Sequence, residues 1–263
     1  MIIAIAILGW SFGVAINWLA DSLPLFRKPE VPRCPACTAP FSPISWFAIP
    51  AVITRVWRCE YCSTRRQTRT LLVEILAIAG SIGIYFWSNS PASFWSAFLI
   101  SAVFLLIIVI DMEHKLILHI VTFPAAVLFI LLGLLNPQMS LGRILLGGAV
   151  GFGLFLLLYL LGGIFARTIA GGQDHADDEI ALGFGDVTLA TIIGLAVGFP
   201  GVIEALLRGI LAAGLFSIAY LIFMKIRRRY SAFTPIPYGP FLILGAWWVY
   251  FWGWAWLERI LNM

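Results

Sequence analysis

The sequence predicts an all-α polytopic membrane protein of about eight transmembrane helices, with a small zinc-ribbon-like loop on the cytoplasmic side. Three observations predict it. Hydrophobic residues fill 61% of the 263 positions and charged residues only 11%, against roughly a quarter charged in a soluble domain. The apolar residues gather into runs near the ~20 residues that a bilayer crossing requires. All four cysteines fall in one polar stretch between the first two runs. No soluble basic domain with interleaved aromatics is present to hold a nucleic acid, so the net charge of +4 is a matter of topology.

The candidate spans cover residues 2–20, 71–88, 94–111, 117–135, 143–166, 187–199, 203–224 and 239–257. The fourth is interrupted by Pro124 and the sixth is short. The first begins without a basic region, and Asn17-Trp18-Leu19-Ala20-Asp21 is a poor small-residue cleavage site, so it reads as a retained span rather than a signal peptide. No internal repeat or low-complexity tract is visible.

Charge sorts the loops. Of the 17 Lys and Arg, eight lie in segment 21–70: Arg27, Lys28, Arg33, Arg55, Arg58, Arg65, Arg66 and Arg69. Lys115, Arg167, Lys225, Arg227, Arg228 and Arg229 fall on the same side, and only Arg143, Arg208 and Arg259 on the other. The positive-inside rule then places 21–70 in the cytoplasm and both termini outside. The arginines around the cysteines read equally as contacts to anionic lipid headgroups or as topology signals alone.

The cysteines form Cys34-Pro35-Ala36-Cys37 and Cys59-Glu60-Tyr61-Cys62. Two C-x-x-C knuckles at this separation match a tetrathiolate zinc site, and a reducing cytoplasm makes disulfides the weaker reading. Free thiols or a redox dithiol are the bland alternatives. Four thiolates leave no open position, so the zinc is expected to be structural and to fix a loop too short to fold alone.

Two acids stand at span edges. Leu105-Leu106-Ile107-Ile108-Val109-Ile110 ends in Asp111, and Gly183-Phe184-Gly185 leads into Asp186 before Val187-Thr188-Leu189. Taken singly, Asp186 reads as a helix cap and Asp111 as a snorkelling acid beside His114 and Lys115. Taken together, both fall at the cytoplasmic boundary, and Gly183 and Gly185 permit close backbone approach. Ionisable residues in such places usually serve function. Two carboxylates sharing a proton activate a water and protonate a departing amine without a catalytic metal. Asp186, at a helix N-terminus, is expected to carry the charge, and Asp111, at a C-terminus, the proton.

Other polar residues keep two readings each. Glu74 and Asn17 are interfacial residues or site walls, with the interfacial reading slightly favoured for Glu74. Lys115 and His119 either support the acid pair or contact headgroups. The acidic run Gln173 to Glu179 is a solvated connection or a lure for a basic substrate segment. Trp247, Trp248, Trp252, Trp254 and Trp256 read as an interfacial belt.

These markers together resemble the type IV prepilin peptidases, a family of GxGD-type membrane aspartyl proteases. The resemblance covers nearly the whole chain: the double C-x-x-C loop followed by Leu71-Leu72-Val73-Glu74, then Ile110-Asp111-Met112-Glu113-His114, then Gly183-Phe184-Gly185-Asp186-Val187-Thr188-Leu189, then Thr234-Pro235-Ile236-Pro237-Tyr238-Gly239-Pro240-Phe241-Leu242. It implies cleavage of class III leaders from prepilins or pseudopilins at the cytoplasmic face of the inner membrane, after the glycine that ends a short basic leader. It implies Asp111 and Asp186 as catalytic acids, with Gly183, Gly185, Lys115 and His119 in support. The substrate brings its leader and N-terminal helix, and membrane lipid is the other partner. Many members then methylate the new N-terminus with S-adenosylmethionine. On that pattern residues 1–70 form a methylation-linked part and 71–263 the peptidase.

Departures from the family pattern fall mostly in the methylation-linked part. Ile117-Leu118-His119 replaces Ile-Pro-Asp or Ile-Pro-Asn, and Trp10-Ser11-Phe12-Gly13-Val14 replaces Gly-Ser-Phe-Leu-Asn. The stretch Ile44 to Ile49 lacks the usual glutamate. Methyl transfer is therefore left open. Three rival readings remain: a presenilin-like intramembrane protease, against which the cysteine loop argues; a non-catalytic pilus-assembly scaffold; and a proton-coupled transporter using the paired acids.

Overall fold

The structure is a computed structural model. It describes every residue except 35, 55, 138, 170–182, 228–236 and 254–263, and only the backbone at 43 and 165–169. The acidic run at 173–179, Trp254, Trp256, Arg228, Arg229, Arg259 and the start of the closing marker lie outside the described residues.

The described chain is helical, as the sequence predicts, and its only β features are two isolated bridges in the cysteine loop. In order the helices are α1 (Ile2–Phe26), α2 (Ala48–Ile53), α3 (Thr68–Trp87), α4 (Pro91–His114), α5 (His119–Leu134), α6 (Leu141–Ile169), α7 (Phe184–Val197), α8 (Gly201–Ile226) and α9 (Gly239–Trp252). Each of the eight apolar runs falls mainly on one of them, as far as the described residues go, and α2 is an extra short helix in the loop. Five helices, α1, α3, α4, α6 and α8, are long and apolar enough to cross a bilayer. The chain is a multi-pass membrane protein. The shorter α5, α7 and α9 have 16, 14 and 14 described residues. Pro124 does not break α5, which runs on around it; membrane helices tolerate an internal proline because neighbouring groups take up the freed carbonyl.

Contacts divide the chain into two compact units, Met1–Ile110 and Asp111–Met263. In the first, α1 and α3 pack as an antiparallel pair. Gly9 and Gly13 on α1 leave no room for a side chain: a Cβ on Gly9 would meet Ala77 O at 2.6 Å, and one on Gly13 the Glu74 Cα at 2.9 Å. One turn further, Asn17 Nδ2 donates to Thr70 O at 2.8 Å. Apolar driving force between helices is weak in lipid, so small residues and buried hydrogen bonds of this kind hold such pairs.

In the second unit α7 is the central helix. Val187, Leu189, Ala190 and the whole run Ile192–Val197 are buried, and α5, α6, α8 and α9 all pack on it. At 14 residues it rises about 21 Å, short of a ~30 Å hydrocarbon core. Protein rather than lipid surrounds it, so the bilayer does not set its length. The α6–α7 crossing is close because Gly147 and Gly151 face the Gly194 and Ala190 carbonyls.

Candidate active site and metal centre

Asp111 lies in the last turn of α4, and the chain leaves that helix through Lys115, whose left-handed conformation (φ 52°) lets its N–H donate to Asp111 O at 2.9 Å. The Asp111 side chain does not snorkel to water. It is 5% exposed, and its Oδ2 accepts the Gly239 N–H at 3.1 Å. The connection to α5 then runs over the start of α7: Ile117 lies where a Cβ on Gly185 would be, 2.8 Å from its own Cβ. Gly185 is needed for that approach.

Asp186 is the third residue of α7, after the N-cap Gly183. Its carboxylate reaches back to accept the Gly183 N–H at 3.1 Å, the acidic half of a capping box. Gly183 has no side chain to supply the other half. Asp186 is half-buried and lies within electrostatic reach of Asp111 and of Tyr238.

Asp111 also faces the N-terminus of α9, through Gly239. Each carboxylate therefore meets backbone N–H groups at a helix start. The N–H that meets Asp111 comes from a third helix, which starts 128 residues further along the chain. The Tyr238 phenol beside them is pushed above its ordinary value, first by burial and then by the charge of Asp186, so it stays an O–H donor. Sequence reasoning did not single out Tyr238 or Gly239; both stood inside the Pro-Tyr-Gly-Pro marker.

His119 and Lys115 are exposed. The His119 ring lies 5.9 Å from Phe184, between the two glycines, and 5.7 Å from Phe123. The role found for Lys115 is its backbone turn.

Glu74 is not interfacial, contrary to the favoured sequence reading. It is fully buried and accepts from Trp10 Nε1 at 2.9 Å, Ala48 N at 2.6 Å and Ile49 N at 2.9 Å. Its carboxylate thus caps α2 and ties the loop to the α1–α3 pair. Asn17 is buried as well.

The two cysteine knuckles are copies of one another. In the first, Cys34 N donates to Ala39 O and Thr38 N to Cys34 O; in the second, Cys59 N donates to Thr64 O and Ser63 N to Cys59 O. Thr38 and Ser63 take the same left-handed turn, at φ 58° and 57°. Arg33 bridges Pro40, and Arg58 bridges Arg65. All four Sγ atoms lie within 4.8 Å of one another, with Cys34–Cys62 at 3.5 Å and Cys37–Cys59 at 3.6 Å. These spacings are far from the ~2 Å of a disulfide. They approach the ~3.8 Å edge of a tetrahedron built from ~2.3 Å metal–sulfur bonds. The cluster fits one metal ion.

Residues 97–218, which include both acids, match the type IV leader peptidase family. The chain is similar to that family over those residues. It is a peptidase, and the family's curated relatives cover most of its length. The prepilin leader peptidase/N-methyltransferase of Aeromonas salmonicida is 25% identical over 225 residues, 85% of this chain and 72% of that protein. The protein of the same description from Dichelobacter nodosus is 25% identical over 221 residues, 84% and 71% of the two chains. That of Xanthomonas campestris pv. campestris is 30% identical over 184 residues, 70% and 57%. No solved structure matches at a significant level.

Proposed function

We propose that Asp111 and Asp186 are the catalytic acids of this prepilin peptidase, and that they remove the leader of a prepilin or pseudopilin at the cytoplasmic face of the inner membrane. One observation carries the reading. Both carboxylates belong to one compact unit, each is held by a backbone amide, and each lies within electrostatic reach of the other. A shared proton between them lets one acid take the proton of the attacking water and the other give a proton to the departing amine. Gly183 holds Asp186, and Gly185 lets the Asp111 connection close on α7. His119 and Lys115 supply polar groups at the rim of this site. The positive-inside pattern supports the cytoplasmic placement of loop 21–70 and of both acids. Substrate enters as its basic leader followed by an apolar helix, with the scissile bond after the leader's terminal glycine.

Zinc is the ion proposed for the cluster, held by Cys34, Cys37, Cys59 and Cys62, because a closed thiolate tetrahedron with duplicated knuckles is its usual structural site.

Methyl transfer enters the reading through the relatives' descriptions. Its donor, S-adenosylmethionine, carries a sulfonium and an ammonium, and a site for it needs free acceptors. In the first unit Glu74 accepts three hydrogen bonds and Asp21 is ion-paired with Arg69. Asn17 Oδ1 and Arg66 Nη1 are left without partners, and neither adds negative charge. The peptidase reading does not depend on methyl transfer.

Co-expression with a prepilin substrate tests the peptidase. Asp111→Asn and Asp186→Asn are each expected to abolish leader removal while the protein still inserts; processing that survives either change overturns the assignment. The intact mass of the released product shows whether a methyl group is added.

A further inference from the structure

We infer that Gly239 is a positioning residue for Asp111: the start of α9 holds one oxygen of that acid and leaves the other for the reaction. The inference rests on the proposed catalytic role of Asp111.

Accounting for the donors of α9 leads to it. The first N–H groups of a helix lack partners inside it. In α9, Pro240 has no N–H, and those of Phe241 and Leu242 go to Tyr238 O at 3.2 and 3.4 Å. Tyr238 supplies no side-chain cap. One donor is left, Gly239 N–H, and it goes to Asp111 Oδ2 at 3.1 Å. Asp111 therefore caps from outside a helix that starts 128 positions further along the chain, where the N-cap residue Tyr238 offers no side-chain bond. It performs from a distance what an adjacent Asp or Asn performs in an ordinary cap.

The residue must be glycine for reasons of space. Its conformation is helical, open to any amino acid, yet a Cβ would stand 2.7 Å from Asp111 Oδ2, 3.3 Å from its Cγ and 3.4 Å from Leu189 Cδ2. The carboxylate lies against the glycine's bare face, with α7 on the other side. Any side chain at 239 pushes Asp111 off its amide. With Oδ2 fixed, Oδ1 is the oxygen left to share a proton with Asp186 and to meet water.

Two measurements on the full chain in lipid or detergent test this. With a synthetic prepilin peptide, Gly239→Ala is expected to lower kcat about 10- to 100-fold, the loss typical of a misplaced reacting group, and to leave KM unchanged. An unaltered kcat overturns the inference. The second measurement is a melting cycle that does not depend on activity. The loss of melting temperature on Gly239→Ala is expected to vanish in an Asp111→Ala background, where the clash is gone; an equal loss in both backgrounds overturns the inference. If Gly239→Ala does not accumulate, Asp111→Asn against Asp111→Ala decides. Both remove the charge, but Asn keeps an acceptor for the amide and is expected to melt higher; equal melting overturns the cap. A coupled melting cycle together with leader removal by Asp111→Asn would sink the catalytic reading and the positioning role with it, while the cap itself would stand.

Discussion

Glu74 and Asp111 are both acids buried among apolar helices, at 0% and 5% exposure, yet their surroundings differ in kind. Glu74 accepts three hydrogen bonds that tie the loop to the α1–α3 pair. Asp111, among the described residues, accepts one hydrogen bond, at Oδ2. The difference separates a structural acid from a reactive one better than burial does. Glu74→Ala would strand the Trp10 indole N–H and the first amides of α2. The expected cost is on the order of 3 kcal/mol, since each orphaned buried donor costs ~1–3 kcal/mol. Thermal melting in detergent checks it, with Glu74→Gln falling between because its amide still accepts one bond. A melting point unchanged by Glu74→Ala would remove the acid from this role.

At the scale of elements, the helices of the second unit are spaced by their smallest residues. A Cβ on Gly147 would press into the backbone of α7 around Gly194 and Gly198, whereas one on Gly153, on the same helix, would meet nothing within 4 Å. Gly147→Ala is therefore expected to cost about 1–3 kcal/mol through overpacking and to reduce peptidase activity by shifting α7. Gly153→Ala is expected to be neutral or to stabilise by up to ~1 kcal/mol, because alanine is the better helix former. Comparing the two melting points checks both. The cysteine loop is an element of another sort, held by a metal rather than by a core. One metal per chain is expected, lost with Cys34→Ser or on chelation, and loss should open residues 27–67 to limited proteolysis. Metal content unchanged in Cys34→Ser would count against this ligand set.

At the scale of the whole molecule, what could be read in the sequence was whatever is local. Apolar runs mark their own helices, C-x-x-C marks its own knuckle, and Gly-Phe-Gly-Asp marks its own helix start. The knuckle duplication follows from the two spacings alone. What could not be read depends on distant partners. The cap of α9 joins residues 111 and 239, and no pattern near Asp111 announces it. Glu74 looked interfacial because it stands near a span's start; its burial depends on α1 and α2, from elsewhere in the chain. The short sixth run made sense only once α7 was seen to be enclosed by four other helices.

That enclosure has a consequence for how the enzyme comes into being. During translation α7 leaves the ribosome before α8 and α9, the two helices that cover part of its surface. Until they arrive, the helix bearing the second acid has neither the span to anchor itself in lipid nor its full protein jacket. The amide that steadies the first acid also arrives with α9. If Asp111 is catalytic as proposed, a nascent chain stopped short of Gly239 is expected to remove no leader, so the activity switches on only as synthesis nears its end.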